Sequence, residues 1–400
     1  MANSVLVRMY NVGFGDCFLI EIPNTDDRPT RILIDCGSIA QGNLAMKKIV
    51  ELIVKDIKDD DGVARIAVVV CTHRHADHVS GFANESWRDV EVKEVWFPWT
   101  ENPDDPAARK VRDAQSKLAL ALTSHWNAQV AAAVPNAAMW QELAANALSN
   151  EKAMTMLHEG IRSRPSTQFL SSDGSPTRIS TDVLPGVRAF VLGPSKSPDV
   201  IRDMDPPSGK TYLRQGAGGD GSKSSFEPFE DDWPIEPENY SWTGLDKRDR
   251  DAIRTASTSW DPAITVALES AVNGTSLVLV FEVGDAVLFF PGDAQWGTWN
   301  ALLNNAKSAD LLQRTSFWKV GHHGSHNATP MEFVAQRLPA ACCAMMSTKT
   351  GKWKTIPRQP LIDAIAGKGV ELARSDAGQN VAYRKFTTWT ADVIETRVAM

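Results

Sequence analysis

The sequence predicts a layered α/β fold, and three observations carry that prediction. Short β-branched runs bounded by Gly, Pro or Asp recur in both halves of the chain, with helical patterns between them. The run "IAVVV" at 66–70 is apolar throughout, as a strand covered on both faces must be. Clusters of His and Asp stand at the C-terminal ends of strand-like runs in each half.

Taken in order, "SVLVRMYNVG", "CFLIEIP", "RILIDCG" and "IAVVVCTH" read as strands separated by tight turns. Between the third and fourth, residues 43–57 carry Leu44, Ile49, Val50, Ile53 and Val54 at helical spacing, leaving Lys47, Lys48 and Lys55 to solvent. The character changes from Glu85 to about Ile161. In "DDPAARKVRDAQSKLALALTSHW", Asp105 stands as N-cap and Pro106 at the first helical position. "SNEKAMTMLHEG" opens on a similar polar cap and stops at Gly160. Residues 163–186 read as turns, and "VRAFVLGP" as a strand. The stretch 195–258 is dense in Pro, Gly, Ser and Asp and reads as a long loop, with an acidic run at Glu227, Glu230, Asp231 and Asp232. Order resumes with a helix near Pro262–Ala271, the hairpin "SLVLVFEV"/"AVLFFPGDA", a helix near Ala294–Ala306, and a strand running into "KVGHHGS". The helices "MEFVAQRL" and "PLIDAIAGKG", the strand "ACCAMMS" and terminal strands complete the chain.

With 400 residues, 43% hydrophobic and 23% charged, the chain can bury a substantial core. One domain over 1–400 is expected, carrying a mainly helical insertion at 85–186 and a Pro/Gly/Asp-rich loop insertion at 195–258. The formal charge of −7 argues against broad electrostatic attraction to nucleic acid. Five cysteines (Cys17, Cys36, Cys71, Cys342, Cys343) show neither disulfide-framework nor zinc-ribbon spacing, which points to a reducing compartment. No window reaches the ~18 apolar residues of a membrane span, and the N-terminus has no signal-like apolar run. A cytoplasmic protein without membrane insertion is expected.

Six of the eight histidines fall in two short stretches, "CTHRHADHVSG" (His73, His75, His78) and "KVGHHGSHNAT" (His322, His323, His326). His73 and His75 are two apart on a chain leaving a strand, so both imidazoles can reach one ion. Asp77 and His78 follow after a bend and can face a second ion. Asp293 stands just past a strand end behind Pro291-Gly292, and its two carboxylate oxygens can bridge a metal pair. His322 and His323 can close the second site. Two metals about 3.5–4 Å apart would hold a bridging hydroxide and clamp an in-line displacement.

The set HxHxDH, later GD, later HHGS, with "LIDCG" before the first, resembles the metallo-β-lactamase fold superfamily. Within it, "NVGFGDCFLI", "RILIDCG", "CTHRHADHVSG", "NGTSLVLVFEVGDAVLFFPGDA" and "KVGHHGSHNAT" are similar to the soluble hydrolase domain of the DNA-uptake channel ComEC and to related phosphodiesterases. The phosphorylcholine esterases that act on teichoic acid look similar too. The resemblance covers most of 1–82 and 260–375. It implies a four-layer αββα sandwich with the metals at one edge. Carried over by motif, His73, His75 and Asp293 would hold one ion, and Asp77, His78, Asp293 and His323 the other. The catalytic roles fall to Asp77 and to His322, which would point at substrate phosphate. Asp35 would orient the ligand loop from behind.

Two departures stand out. The strand ending "FVLGP" lacks a histidine that many superfamily members supply to the first ion, which leaves that ion short of protein ligands. Ile356 stands before Pro357 where a later family motif often has histidine. Asp16 in "GFGDC" reads equally as a site-lining group or as part of a Gly-rich turn. Ser325 reads as fixing its loop, Lys319 as a solvated strand lysine, and His125 and His158 as ordinary helix residues.

The expected function is therefore metal-dependent hydrolysis of a phosphodiester, nucleic acid included, by a metal-bound hydroxide, with Zn²⁺ or Mn²⁺ as the two ions. Hydrolysis of a carboxylic ester, lactone or amide is the second enzymatic reading. A metal-stabilised binding or effector protein, engaging a protein partner through the insertions, is the reading of a different class.

Overall fold

The computed structural model describes residues 4–24, 28–148, 150–203, 206–207, 210, 212, 262–325, 327–353 and 355–400. Most of the loop expected at 195–258, its acidic run, and His326 lie outside the described residues.

In the first half the strands are β1 (Ser4–Tyr10), β2 (Cys17–Ile22), β3 (Thr30–Cys36), β4 (Arg65–Val70), β5 (Glu91–Pro98) and β6 (Ser166–Leu170). Then come β7 (Thr177–Arg178), β8 (Val187–Gly193), β9 (Val278–Val283), β10 (Ala286–Phe290), β11 (Phe317–Lys319), β12 (Cys343–Met346), β13 (Glu371–Arg374), β14 (Phe386–Trp389) and β15 (Val393–Ala399). Among the described residues they form an eight-stranded sheet, β14-β15-β1-β2-β3-β4-β5-β6, and a seven-stranded sheet, β13-β12-β11-β10-β9-β8-β7. β3 through β6 pair in parallel, as do β10 through β13. The C-terminal ends of these parallel strands meet at one edge, where Leu277 N donates to Thr72 O across the two sheets at 2.9 Å.

The helices are α1 (Met46–Asp56), the short turn α2 (Ala76–Val79), α3 (Pro106–Ala131), α4 (Ala137–Asn146), α5 (Glu151–Thr155) and α6 (Pro198–Arg202). α7 (Pro262–Asn273), α8 (Trp296–Asn304), α9 (Ala306–Leu312) and α10 (Gln359–Gly367) follow. One apolar layer joins the facing sides of the sheets, with Val7, Phe18, Ile32 and Val68 meeting Leu279, Phe281, Leu288 and Phe317. A second lies under α1, where Ile49, Val50 and Ile53 cover Leu19, Leu33 and Val69. A third lies under α8, α9 and α10, where Trp299, Leu312 and Ile365 cover Val280, Phe289 and Trp318. The result is an αββα sandwich, each sheet burying both faces. Among the described residues no helix is long and apolar enough to cross a membrane.

Two expectations shift. α1 starts at Met46 rather than 43, because Ala45 is still extended (φ −65°, ψ 148°). The mainly helical segment 85–186 also carries β5, and β6 and β7 lie where turns are expected over 163–186; β5 and β6 extend the larger sheet. Glu91, Lys93 and Glu94 gave β5 a polar look, yet Glu94 is buried and accepts from Trp96 Nε1, Gln168 Nε2 and Thr181 Oγ1 at 2.8–3.0 Å. Its charge is satisfied inside the fold, as burial requires. Asp105 caps α3 as its sequence position implies, its Oδ1 accepting from Ala107 N and Ala108 N at 2.8 and 3.3 Å.

α3, α4 and α7 form a fourth apolar cluster, in which Leu118, Trp126, Trp140, Leu143, Leu268 and Val272 meet Phe14, Trp353 and Ile356. Phe14 lies against His323, with ring centroids 4.2 Å apart. The helices between 106 and 146, together with α7, thus roof the sheet edge where the His and Asp clusters converge.

Candidate metal centre

β4 ends at Val70 and the chain stays extended through His75, which has φ −63° and ψ 148° as the residue before α2. His73 and His75 therefore share a side, and His73 Nε2 lies 3.0 Å from His75 Nδ1. The tight turn α2 brings Asp77 and His78 back toward them. The β1–β2 connection passes close behind: a side chain at Gly15 would collide with Gly37 O and Asp77 O. Only glycine admits that approach, and it lets Asp16 N donate to Asp77 O at 2.9 Å.

Asp293 follows β10 through Pro291 and Gly292, the latter at φ +57°. Its Oδ1 accepts from His322 N at 3.0 Å and from Lys319 Nζ at 3.3 Å. Its Oδ2 faces His78 Nε2 at 3.1 Å. The picture of two free oxygens bridging a metal pair is therefore narrowed, since Oδ1 is held by protein and Oδ2 is the oxygen turned to the histidines. His322 and His323 both take left-handed backbone angles, φ 45° and 54°. Such strain persists only where the surroundings impose it. It separates the two rings. His323 Nε2 lies 3.2 Å from Asp77 Oδ2 and 4.0 Å from Asp293 Oδ2. His322 turns elsewhere, with Nδ1 2.8 Å from Ser325 Oγ and Nε2 3.4 Å from Asn273 Nδ2.

Ligand atoms of Asp77, His78, Asp293 and His323 all lie within 4.8 Å of one another, and all four residues are buried. The inward-facing imidazoles are anchored by their other nitrogen. His73 Nδ1 meets Thr72 Oγ1 at 3.1 Å, His78 Nδ1 meets Asp35 Oδ2 at 2.8 Å, and His323 Nδ1 meets Ser347 O at 2.9 Å. His75 Nε2 faces Glu269 Oε2 of α7 at 3.2 Å. This is the arrangement that fixes ring orientation in metal sites. Asp35, at φ 56°, also accepts from Thr72 N at 2.8 Å and from Thr72 Oγ1 at 2.7 Å, tying β3 to the ligand loop. Ser325 Oγ bonds His322 Nδ1 and Asn327 Oδ1 within its own loop.

Among the described residues, the carboxyl groups of Asp16, Asp35, Asp77, Glu269 and Asp293 are buried here beside the ammonium of Lys319. Burial opposes ionisation of Asp77, yet His78 and His323 hold it far below the usual carboxylate range. Burial likewise opposes it at Asp293, outweighed by His78 and Lys319. The reverse holds for His78: burial disfavours its charge, but Asp293, Asp77 and Asp35 push it well above the ordinary value. At His323 burial is again overcome, chiefly by Asp77. His75 and His322 are pushed down to about 4, first by burial. Asp77 Oδ1 has no hydrogen-bond donor among the described residues. An orphaned carboxylate oxygen and anchored imidazoles are what a cation needs, and the donor set of N and O suits a divalent metal. The buried His/Asp group could hold one.

Lys319 is a correction: it is buried rather than solvated, ion-paired with Asp16 Oδ2 and Asp293 Oδ1, which also places Asp16 inside the site. His125 and His158 stay outside it, the latter stacked on Phe97 at 4.3 Å. Sequence reasoning missed Glu269, Asn273 and Asn146. A signal existed for the first, since Glu269 is the sole charged residue of the stretch "PAITVALESAVN".

No family model matches the chain. A stretch of 115 residues, 28% of the chain, is 30% identical to ComE operon protein 3 of Bacillus subtilis (strain 168), and spans 14% of that protein's length. Among solved structures, unliganded yeast PDE1 is similar over 98% of this chain and 99% of that one, at 8% identity and a TM-score of 0.36.

Proposed function

We propose that the protein is a metal-dependent hydrolase of the metallo-β-lactamase superfamily, built as one domain over 1–400, that cleaves phosphodiesters. The observation that carries this reading is the buried group of Asp77, His78, Asp293 and His323, with the rings of its histidines anchored from behind. The 115-residue likeness to ComE operon protein 3 supports the resemblance read from the motifs. His73 Nε2, His75 Nδ1 and Asp293 Oδ2 would hold one Zn²⁺ or Mn²⁺ ion. Asp77, His78 Nε2, His323 Nε2 and the same Asp293 oxygen would hold the other. Bound there, divalent ions supply Lewis acidity and a lowered pKa for water. The chain's own part is to fix the ligands, exclude bulk water beneath the α3–α4–α7 roof, and present His322 to the substrate. His322 is neutral at pH 7, with Nδ1 held by Ser325 Oγ and Nε2 by Asn273 Nδ2, so it would add no charge beside a substrate phosphate. The roof helices set which phosphodiesters enter, nucleic acid among them.

The test is hydrolysis of bis-p-nitrophenyl phosphate by protein reconstituted with Mn²⁺ or Zn²⁺. Turnover that requires metal and vanishes on chelation is expected. Stoichiometric metal with no turnover on phosphodiester, ester, lactone or amide would place the chain among binding proteins instead.

Metal binding should also release protons. His78 and His323 have raised pKa values in the metal-free protein and must lose their protons to bind an ion, so metal affinity rises with pH. Calorimetric titration in buffers of different ionisation enthalpy should report net proton release on metal loading. Identical heats in all buffers would contradict the protonated histidines.

A further inference from the structure

We infer that Glu269 is a positioning residue for His75, by which the helical roof sets the affinity of the first metal ion; the inference rests on the metal-binding reading above. His75 turns Nδ1 toward His73 Nε2, 3.0 Å away, so its other nitrogen, Nε2, points out of the metal side. Facing that nitrogen at 3.2 Å, in ion-pair contact, is Glu269 Oε2, and neither atom makes a hydrogen bond among the described residues. Both side chains are fully enclosed, at 1% and 5% exposure.

Glu269 is in turn held by α4. Asn146 Nδ2 donates to Glu269 Oε1 at 3.0 Å, while Asn146 Oδ1 accepts from Ala76 N at 2.9 Å. Asn150, just past α4, donates to Arg74 O at 2.5 Å and to Asn146 O at 3.0 Å. The backbone on both sides of His75 and the far edge of its ring are thus gripped by α4, Asn150 and α7. Two donors, the Asn146 amide and the His75 Nε2–H, converge on one side chain. A carboxylate accepts both. A glutamine amide accepts one and turns an N–H against the other. With no histidine at the end of β8, where the chain reads Leu192-Gly193-Pro194, the first ion depends on His73, His75 and a shared Asp293 oxygen. The orientation of His75 therefore carries more of that ion's affinity than it would in a fully liganded site.

The experiment is a Co²⁺ titration of full-length protein by calorimetry and visible absorption, comparing wild type, Glu269→Gln and the double swap Glu269→Gln/Asn146→Asp. In the swap the introduced amide donates to the introduced carboxylate, which can still accept from Ala76 N, and the Gln oxygen is left for His75. Glu269→Gln is expected to weaken the first ion roughly 10–100-fold while the second is unchanged, with the visible spectrum of the first ion altered. The swap is expected to return both to within a few-fold of wild type. Wild-type affinity in Glu269→Gln would overturn the inference alone, whereas a wild-type protein that takes up no Co²⁺, Zn²⁺ or Mn²⁺ would overturn the metal reading beneath it. Should Glu269→Gln not melt cooperatively, the swap decides: near-wild-type affinity supports the positioning role, and a weak first ion overturns it. Loss of folding in both variants would make Glu269 a core residue only and overturn it too.

Discussion

Asp293→Asn is expected to abolish the proposed phosphodiester hydrolysis while leaving the protein folded. The amide oxygen can occupy the Oδ1 place and still accept from His322 N and Lys319 Nζ, so the loop after β10 keeps its course. The Oδ2 place is inverted, because an N–H now faces His78 Nε2 where an anionic oxygen stood 3.1 Å away. On the proposed reading that oxygen would serve both ions. Its loss removes charge from each ion's ligand set and the stabilisation that a correctly held metal pair gives the transition state, several kcal/mol. At about 1.4 kcal/mol per decade, a loss of about 4 kcal/mol corresponds to roughly a thousandfold in kcat/KM. Steady-state kinetics on an activated phosphodiester, with elemental analysis and circular dichroism of the same samples, reads all three consequences. Turnover near wild type in a folded, metal-loaded Asp293→Asn protein is incompatible with a shared Asp293 oxygen.

The parts of this site that were legible in the sequence are those whose geometry is local. His73 and His75 share a side because an extended chain repeats every two residues, and that follows from their spacing once "IAVVV" is seen to be a strand. Asp35 and Asp293 were legible as strand-end carboxylates, and the roles their individual oxygens play were not. Which of His322 and His323 faces Asp77 is decided by two consecutive left-handed residues, a backbone choice no side-chain pattern announces. Glu269 lay further out of reach. No candidate metal ligand lies within ten residues of it in the sequence, and it meets His75 only because α7 docks on α3 and α4 through Leu268 and Val272. β5 was hidden for a related reason. Glu94 looks like a surface charge until Gln168 and Thr181, more than seventy residues later, are seen to bond it. In each case the missing information was tertiary: a polar residue was read by its own character rather than by the partner the fold supplies.

Lys319 is the sharpest instance, and Lys319→Met is expected to destabilise the metal-free protein strongly. The side chain is 3% exposed, with Nζ against Asp16 Oδ2, 3.3 Å from Asp293 Oδ1 and 3.3 Å from Gly292 O. Burial works against its charge, but Asp16 and Asp293 more than offset this and push its pKa above the ordinary lysine value. A raised folded pKa means that its contribution is fully present below the unfolded value of about 10.4 and is lost only as pH rises through the folded one. Across pH 6 to 9 the lysine is therefore charged throughout. Methionine fills a similar volume but leaves two buried carboxylates without their cation, which costs about 3–5 kcal/mol. With an unfolding entropy of about 2.1 cal/mol/K per residue over a chain of this size, that is a fall in Tm of about 4–6 °C. Added Zn²⁺ or Mn²⁺ should recover part of the fall, since a divalent ion on Asp293 supplies positive charge where the ammonium was lost. Differential scanning calorimetry of both proteins, with and without metal, separates the alternatives. A solvated lysine would change stability by no more than about 0.5 kcal/mol, so a variant melting within a degree of wild type would return Lys319 to the surface. A large fall that metal does not relieve would detach its role from the metal centre.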